Sequence, residues 1–563
     1  MSAIISALDN FTPSQIGENG SIEYTWSNSI REQILQLSFQ LTRTLDKIAI
    51  NKLATITDNI LKQLTSSREE YLEYMSIMYR IIGQTRDIVD GKGEYALSYM
   101  LLGVWNNHHP KLAEYAFRLF VLPPDGASAD YHPYGSWKDI KHFYKTNKSS
   151  TLVKYGSQLL INQLKTDSVS DKPSLAAKWV PREKSQYSEL FTELAIEYFN
   201  NYIISAPTED KRMKAIIKAK MDFRKLISSL NKTLDTVQVK QCGLKWSEIE
   251  PTKQTSITMH KQKKAFLNLK KNGEQRYDLE DRIGCANKFK EFAQKAAKGE
   301  VEVKGKRIGL NDFTKDALEL IGYNQKCSDE AALLNAQWLN NSTQTGALGK
   351  MIAMVDVSGS MHGDPMNAAI ALGIRVAEKS MLGKRIMTFS ASPTWVNLTG
   401  YDTFVDMVDV VRQADWGMNT NFSAALKMIL DAIVAQKLTP DDVEDMVLAI
   451  FSDMQMDAAD SNSMNLMASI ETQYAEAGMR LWNKPFKAPH ILFWNLRSTS
   501  GFPSLSSQPN ASMMSGFSPA LLNLFCEEGL NSLQSCTPWS LLLKSLENDR
   551  YKPLEQFLRK SIE

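Results

Sequence analysis

From residue 31 to residue 340, apolar side chains recur at steps of three and four, the spacing of helices that bury one face. Leu72, Met75, Met78 with Tyr79, and Ile82 follow it, and Leu190, Leu194, Tyr198 and Tyr202 repeat it. The same spacing predicts helices over 94–105, 111–122, 152–164, 210–230 and 283–298. Short helices in series without a fixed sequence period predict an all-α array of packed hairpins, solenoid-like in layout.

The texture changes at Asn340-Asn-Ser-Thr-Gln-Thr-Gly346, a polar, glycine-containing segment that suits a linker. Beyond it, β-rich runs at 350–356, 384–390, 394–398, 446–453 and 490–496 alternate with helical patterns at 365–381, 401–413, 421–436 and 462–478. Continuous apolar runs such as Met446-Val-Leu-Ala-Ile-Phe451 require a sheet covered on both faces, and the alternation predicts a largely parallel, doubly wound α/β sheet. Residues 497–519, rich in Ser, Gly, Pro, Asn and Met, predict a long surface loop. Helices near 519–528, 538–548 and 551–562 then close the chain. The expected organisation is multidomain, α plus α/β: an extension over 1–30, a helical-repeat domain over 31–345 and a doubly wound α/β domain over 346–563.

Composition changes this picture little. The chain has 563 residues, 43% hydrophobic and 23% charged, values ordinary for a globular protein. Five scattered cysteines with no Cys-x-x-Cys pair argue against a disulfide framework and fit a reducing compartment. The first residues lack a basic segment followed by a long apolar one, and no uncharged apolar run reaches about 18 residues. The expectation is an intracellular, cytoplasmic protein. The formal charge of +2 hides an asymmetry: residues 208–307 carry 25 Lys/Arg against 13 Asp/Glu, whereas 350–500 carry 12 against 17.

The chemistry concentrates where the first β-run ends, in Asp356-x-Ser358-x-Ser360. One carboxylate and two hydroxyls on a turn can face one small hard cation, and Mg²⁺ prefers such oxygens, with Mn²⁺ or Ca²⁺ as substitutes. Ligands of open α/β sheets sit beyond the carboxyl ends of the strands, where Asp356 lies. Two other loops end there: Trp416-Gly-Met-Asn-Thr-Asn-Phe422 brings Thr420, and Phe451-Ser-Asp453 brings Asp453. The bland alternative is that the two serines cap the next helix while Asp356 anchors the loop.

These residues resemble the metal-ion-dependent adhesion site of von Willebrand factor A domains. The resemblance implies that Asp356, Ser358, Ser360 and Thr420 bind Mg²⁺ directly or through water. It further implies that Asp453 acts through a bound water, and that an Asp or Glu of a protein partner completes the coordination. Met418-Asn419 departs from the Gly-Gly that often precedes the threonine. Four further motifs, Thr85-Arg-Asp87 with Gly91-Lys-Gly-Glu94, Tyr134-Gly-Ser-Trp-Lys-Asp139, Leu175-Ala-Ala-Lys-Trp-Val-Pro-Arg182 and Phe493-Trp-Asn-Leu496, extend the likeness. Together they look like an uncharacterised family of plants, microbes and giant DNA viruses that joins a helical TROVE-like region to a von Willebrand A domain. That family is distantly similar to the Ro ribonucleoprotein, whose helical ring binds RNA. For a giant-virus member, packaging in the virion is a second possible location.

The basic segment gives a second function class. Lys261, Lys263, Lys264, Lys270 and Lys271 are candidates for phosphate contacts to RNA, with Trp246 and Phe266 as stacking surfaces. Against this, lysines on helix faces are commonly just solvated, and these aromatic residues fall at core spacings. His108, His109, His132 and His142 lack the spacing of a zinc site, and His362 reads as an exposed loop residue. There is no phosphate-binding loop and no nucleophile elbow, so a metal-dependent hydrolase is the minor reading. The leading expectation is a non-enzymatic scaffold that captures a partner's carboxylate through Mg²⁺, with an RNA-binding ribonucleoprotein component as the alternative.

Overall fold

The computed structural model describes residues 12–44, 46–64, 69–128, 130–148, 150–390, 392–414, 421–455, 466–499, 501–526 and 535–562. The fold is mixed α/β, with an N-terminal helical region and a C-terminal sheet rich in parallel strands. A two-stranded hairpin comes first, β1 (Ser14–Ile16) and β2 (Ile22–Tyr24). The sheet is built from β3 (Met351–Asp356), β4 (Arg385–Phe389), β5 (Thr394–Asn397), β6 (Val447–Ser452), β7 (His490–Asn495) and β8 (Ala511–Ser515). Its order is β5-β4-β3-β6-β7-β8, all parallel except β5, which runs antiparallel to β4 at one edge.

The chain leaves β3 toward β4 on one side and returns to β6 on the other. The order therefore reverses between β3 and β6, where an open α/β sheet forms its crevice. Both strands are buried throughout, and alternate residues enter different cores. Ala353, Val355, Val447, Ala449 and Phe451 face the helices Leu310–Gly322, Asp329–Ser342, Asp364–Lys379 and Phe404–Arg412. Ile352, Met354, Leu448 and Ile450 face the helices Phe422–Ala435 and Leu466–Trp482, in a core continuous with the N-terminal helices. Every-second-residue alternation on two covered faces is why both strands read as unbroken apolar runs.

The helices Leu310–Gly322 and Asp329–Ser342 thus share a core with the sheet, although their sequence reads as part of the helical region. At the other end of the chain, Pro538–Leu546 and Lys552–Ile562 return to the N-terminal helices. There Phe557 stacks on Tyr115 at 3.9 Å, and Arg550 makes two hydrogen bonds to Asp87 at 2.6 and 2.7 Å. The five predicted strands form within two residues of their expected bounds.

Two elements were not expected. The segment 497–519, read as a surface loop, contains β8, and all five of its residues are buried beside β7. Ala511-Ser-Met-Met-Ser515 has weak intrinsic strand preference, so the pairing comes from burial beside β7. The β1–β2 hairpin lies in the stretch read as an extension, where three-residue strands leave too short a pattern to recognise.

One close approach fixes the helix beside the site. A Cβ added at Gly373 would lie 2.5 Å from Val355 Cγ2, so the Asp364–Lys379 helix sits closer to β3 than an alanine there would allow without a shift. Alanine favours helix by about 1 kcal/mol over glycine, but overpacking costs about 1–3 kcal/mol. Gly373→Ala should therefore lower stability or leave it near unchanged in denaturant unfolding. A clear gain would show that this contact is not tight.

Candidate metal centre

Parallel pairing of β3 with β6 places Val355 opposite Phe451, so Asp356 and Ser452 come next along the two strands. Asp356, Ser358, Ser452 and Asp453 are all fully buried, although each is polar. Asp356 Oδ1 accepts from the Ser358 N–H at 2.9 Å, and Oδ2 accepts from the Ser452 hydroxyl at 2.6 Å. The Ser358 and Ser360 hydroxyls lie 3.1 Å apart. After Ser360, Gly363 at φ +95° turns the chain into the Asp364–Lys379 helix, a conformation that glycine adopts without strain.

Asp453 enters from the next loop. Its Oδ1 accepts the Gln455 N–H at 3.2 Å, while Oδ2 is buried without a hydrogen-bond partner. The nearest cation to that oxygen is Arg497, 3.9 Å away and half exposed. Met454, beside it, sits at φ +63°, left-handed backbone that non-glycine residues seldom adopt. Its N–H donates to Ser452 Oγ at 3.0 Å, which holds the turn in place. Strained backbone of this kind gathers at functional sites.

Burial pushes the Asp356 carboxyl up to about 7, with the neighbouring Asp453 charge adding to the rise and the Ser358 and Ser452 hydrogen bonds opposing it. Burial also raises Asp453, against the nearby Ser360 hydroxyl, the Gln455 N–H and Arg497. Two desolvated carboxyls that raise each other's cost of ionisation, one with an orphan oxygen, form a site short of positive charge. A hard divalent cation would supply the missing charge, with the carboxylates as its main donors and the Ser358 and Ser360 hydroxyls as further oxygens. Among the described residues no three His, Cys, Asp or Glu side chains form a metal cluster, so a cation here relies on hydroxyl oxygens as well as carboxylates.

Four of the five expected residues, Asp356, Ser358, Ser360 and Asp453, thus come together. Thr420 falls in 415–420, outside the described residues. Its neighbour Asn421 donates its N–H to the Ser390 carbonyl, just beyond β4, at 2.8 Å, and caps the Phe422–Ala435 helix through Ala424. Sequence reasoning missed Ser452 as a partner of Asp356; a polar residue ending an apolar strand was the available signal. Arg497 and Gln455 had no local signal, because chain reversal brings them in.

The basic candidates do not gather as expected. Lys263 is buried against Asp316, Lys264 pairs with Glu319 at 2.8 Å, and Lys270 pairs with Glu274 at 3.1 Å. Lys261 and Lys271 are exposed. Phe266 is buried in a stack with Phe289, and the Arg282 guanidinium covers Trp246 at 3.7 Å. Helix periodicity puts lysines on faces, but it does not reveal the carboxylates of the facing helix.

Residues 350–552 match a family described as a domain of unknown function (DUF7788), which spans the sheet and the loops of this site. The chain is also similar to the uncharacterized protein L728 of Acanthamoeba polyphaga mimivirus, 26% identical over 530 residues that cover 89% of this chain and 83% of that protein. The expected likeness to a giant-virus protein is therefore present. Among the described residues, no helix is long and apolar enough to cross a membrane.

The carboxyl at Asp356 sets a pH dependence for the protein stripped of divalent ions. Folding raises its pKa from about 4 to about 7, so the protonated form favours the fold. Its contribution to stability is full below about pH 4 and is lost as pH rises through about 7. Chelated wild type should lose stability by up to a few kcal/mol between pH 5 and 8, and Asp356→Asn should flatten that slope. Parallel unfolding curves for the two proteins across this range would contradict the assignment.

Proposed function

We propose that this protein is a non-enzymatic binding scaffold whose metal centre captures a carboxylate of a protein partner. Asp356, Ser358 and Ser360, with Thr420, would hold Mg²⁺, and Mn²⁺ or Ca²⁺ can substitute. Asp453 would orient a bound water. The bound ion supplies a positive charge with an open position for an outside oxygen. The observation that carries the reading is the buried Asp356–Asp453 pair with its orphan Asp453 Oδ2, at the point where the strand order reverses. The reading takes the parallel-rich sheet with its hydroxyl-bearing first loop as a von Willebrand A-like domain and the N-terminal helical region as its TROVE-like scaffold; what the fold itself offers is the mixed α/β sheet and the helical region. The reading takes binding over hydrolysis because the Ser452 hydroxyl is buried and committed to Asp356, while the Ser358 and Ser360 hydroxyls lie 3.1 Å apart.

A second reading keeps RNA binding but moves it. Lys138, Lys141, Lys178, Arg182 and Lys261 form no ion pair with a carboxylate among the described residues. Lys141 and Lys178 lie 4.9 and 5.8 Å from the centre of the Trp179 ring. Burial lowers the pKa of Lys138, as do Arg86, Lys261 and Lys141, and burial with Arg182 lowers that of Lys141. A cation cluster around an aromatic face, with Asp139 as the carboxylate that acts on Lys138, suits phosphates and a stacked base of single-stranded RNA.

Two measurements separate these readings. Saturating Mg²⁺ should raise the unfolding midpoint of wild type, with about 2.7 kcal/mol gained at a hundredfold excess over Kd, and should leave Asp356→Ala unmoved. Equal shifts in both proteins would rule out this metal centre. For the second reading, Lys141→Glu with Lys178→Glu should weaken single-stranded RNA binding and reduce the salt slope by about 0.7 per lost phosphate contact. Wild-type affinity that is flat between about 50 and 200 mM salt would end that reading.

A further inference from the structure

The helix Glu209–Thr233, the longest among the described residues, is buried along one face only. Ala219, Phe223, Ile227 and Leu230 recur there at steps of three and four, and the helix packs on Ser188–Tyr198 and Asn200–Ile204. No side chain of this helix before Ala219 is buried, and residues 209–214 are all exposed. Its first turns therefore stand clear of the core.

The face turned to water is not uniformly polar. Met213, Ile217 and Met221 follow one another at steps of four, which lines them up along the helix, and they are 55%, 66% and 38% exposed. Lys214, Lys218 and Lys225 border one side of this stripe, and Lys220 and Arg224 border the other. Residues 209–225 hold seven Lys or Arg against three Asp or Glu. Glu183 pairs with Lys220 at 3.2 Å and with Arg224 at 2.8 Å, and Asp222 lies 3.7 Å from Lys225. Lys211, Arg212, Lys214 and Lys218 make no ion pair among the described residues, and Lys218 lies over the Tyr202 ring, 4.5 Å from its centre.

Solvation and helix stability do not account for this face. Single exposed apolar side chains are ordinary, but three in a row at helical spacing form a continuous patch. Lys211 and Arg212 lie in the first turn, where the helix dipole favours anions, so they weaken the helix that carries them. We propose that this face docks on a bilayer rich in anionic lipid, with Met213, Ile217 and Met221 entering the acyl boundary and the flanking cations meeting headgroup phosphates. The helix lies along the interface rather than across it. A convex stripe fits fluid lipid, which needs no complementary groove, and long lysine stems keep the ammonium groups at headgroup level while the stripe is immersed. Met and Ile offer no ring on which a base stacks, which sets this face apart from the cluster around Trp179.

Sedimentation of the full chain with lipid vesicles tests this. Vesicles of phosphatidylcholine with about 30% phosphatidylserine should carry the protein down, and vesicles of phosphatidylcholine alone should not. Lys214→Gln with Lys218→Gln should lower the partition coefficient about tenfold or more, since each cation near an anionic surface is worth about fivefold. Met213→Ser with Ile217→Ser and Met221→Ser should lower it as clearly, through loss of the immersed stripe. Both variants should keep the wild-type unfolding midpoint, because all five side chains are exposed. Wild type that stays in solution with anionic vesicles, or partition equal in wild type and both variants, would overturn the proposal. Loss in only one variant would overturn the joint role of stripe and cations. Capture of polyglutamate or of single-stranded RNA through Lys214 and Lys218, without vesicle binding, would assign the face to an acidic protein or a nucleic acid and equally overturn it.

Discussion

Two carboxyls are buried side by side where the sheet reverses its order, and most of what is distinctive in the α/β half follows from how that burial is sustained. An ionised carboxylate in a dry interior is costly, and a second one beside it raises the cost. Asp356 is relieved by Ser358 and Ser452, and Asp453 in part by Gln455, leaving one oxygen unmatched. The strain at Met454 and the glycine turn at Gly363 keep the two loops in this arrangement rather than letting the acids reach water. Two acids held in this way leave a place that a small cation would neutralise, which is the basis of the proposed metal centre.

The helical region supplies the frame. Lys92, from one of the four motifs outside the site, donates to the Ser38 and Leu41 carbonyls and to Ser515 of β8, and so ties the first helix to the edge of the sheet. Burial lowers its pKa to about 7, yet its three bonds match the three protons of an ammonium. Arg86 meets Asp139 through two hydrogen bonds of 2.8 Å, with Gly135 leaving the room they need, and Asp87 receives Arg550 from the end of the chain. Asn495 at the end of β7 donates to the Phe39 carbonyl, which brings the helical region to the carboxyl edge of the sheet. Motif residues outside the candidate site, Arg86, Asp87, Lys92, Asp139 and Asn495, thus act as joints between distant segments.

The α/β half was largely legible because its cause is local: an unbroken apolar run can be satisfied only between two covered faces, and Asp356 falls where such a run stops. Asp453 was legible for the same reason. Ser452 was visible but unassigned, since only the β3–β6 register shows that its hydroxyl meets Asp356. Strand β8 and the hairpin were hidden because neighbours, not their own residues, make them strands. The lysines show the limit of a charge count: it describes the chain but not the facing helix, where Asp316 and Glu319 pair with Lys263 and Lys264.

The most direct test of the account is where a heavy divalent ion settles. Crystals grown with Mn²⁺ and measured at its absorption edge should show one anomalous peak among Asp356, Ser358, Ser360 and Asp453, within about 2–3 Å of the first-loop oxygens. A saturated crystal with no peak there, or with the Asp356 and Asp453 carboxyls bridged only by water, would contradict the central claim.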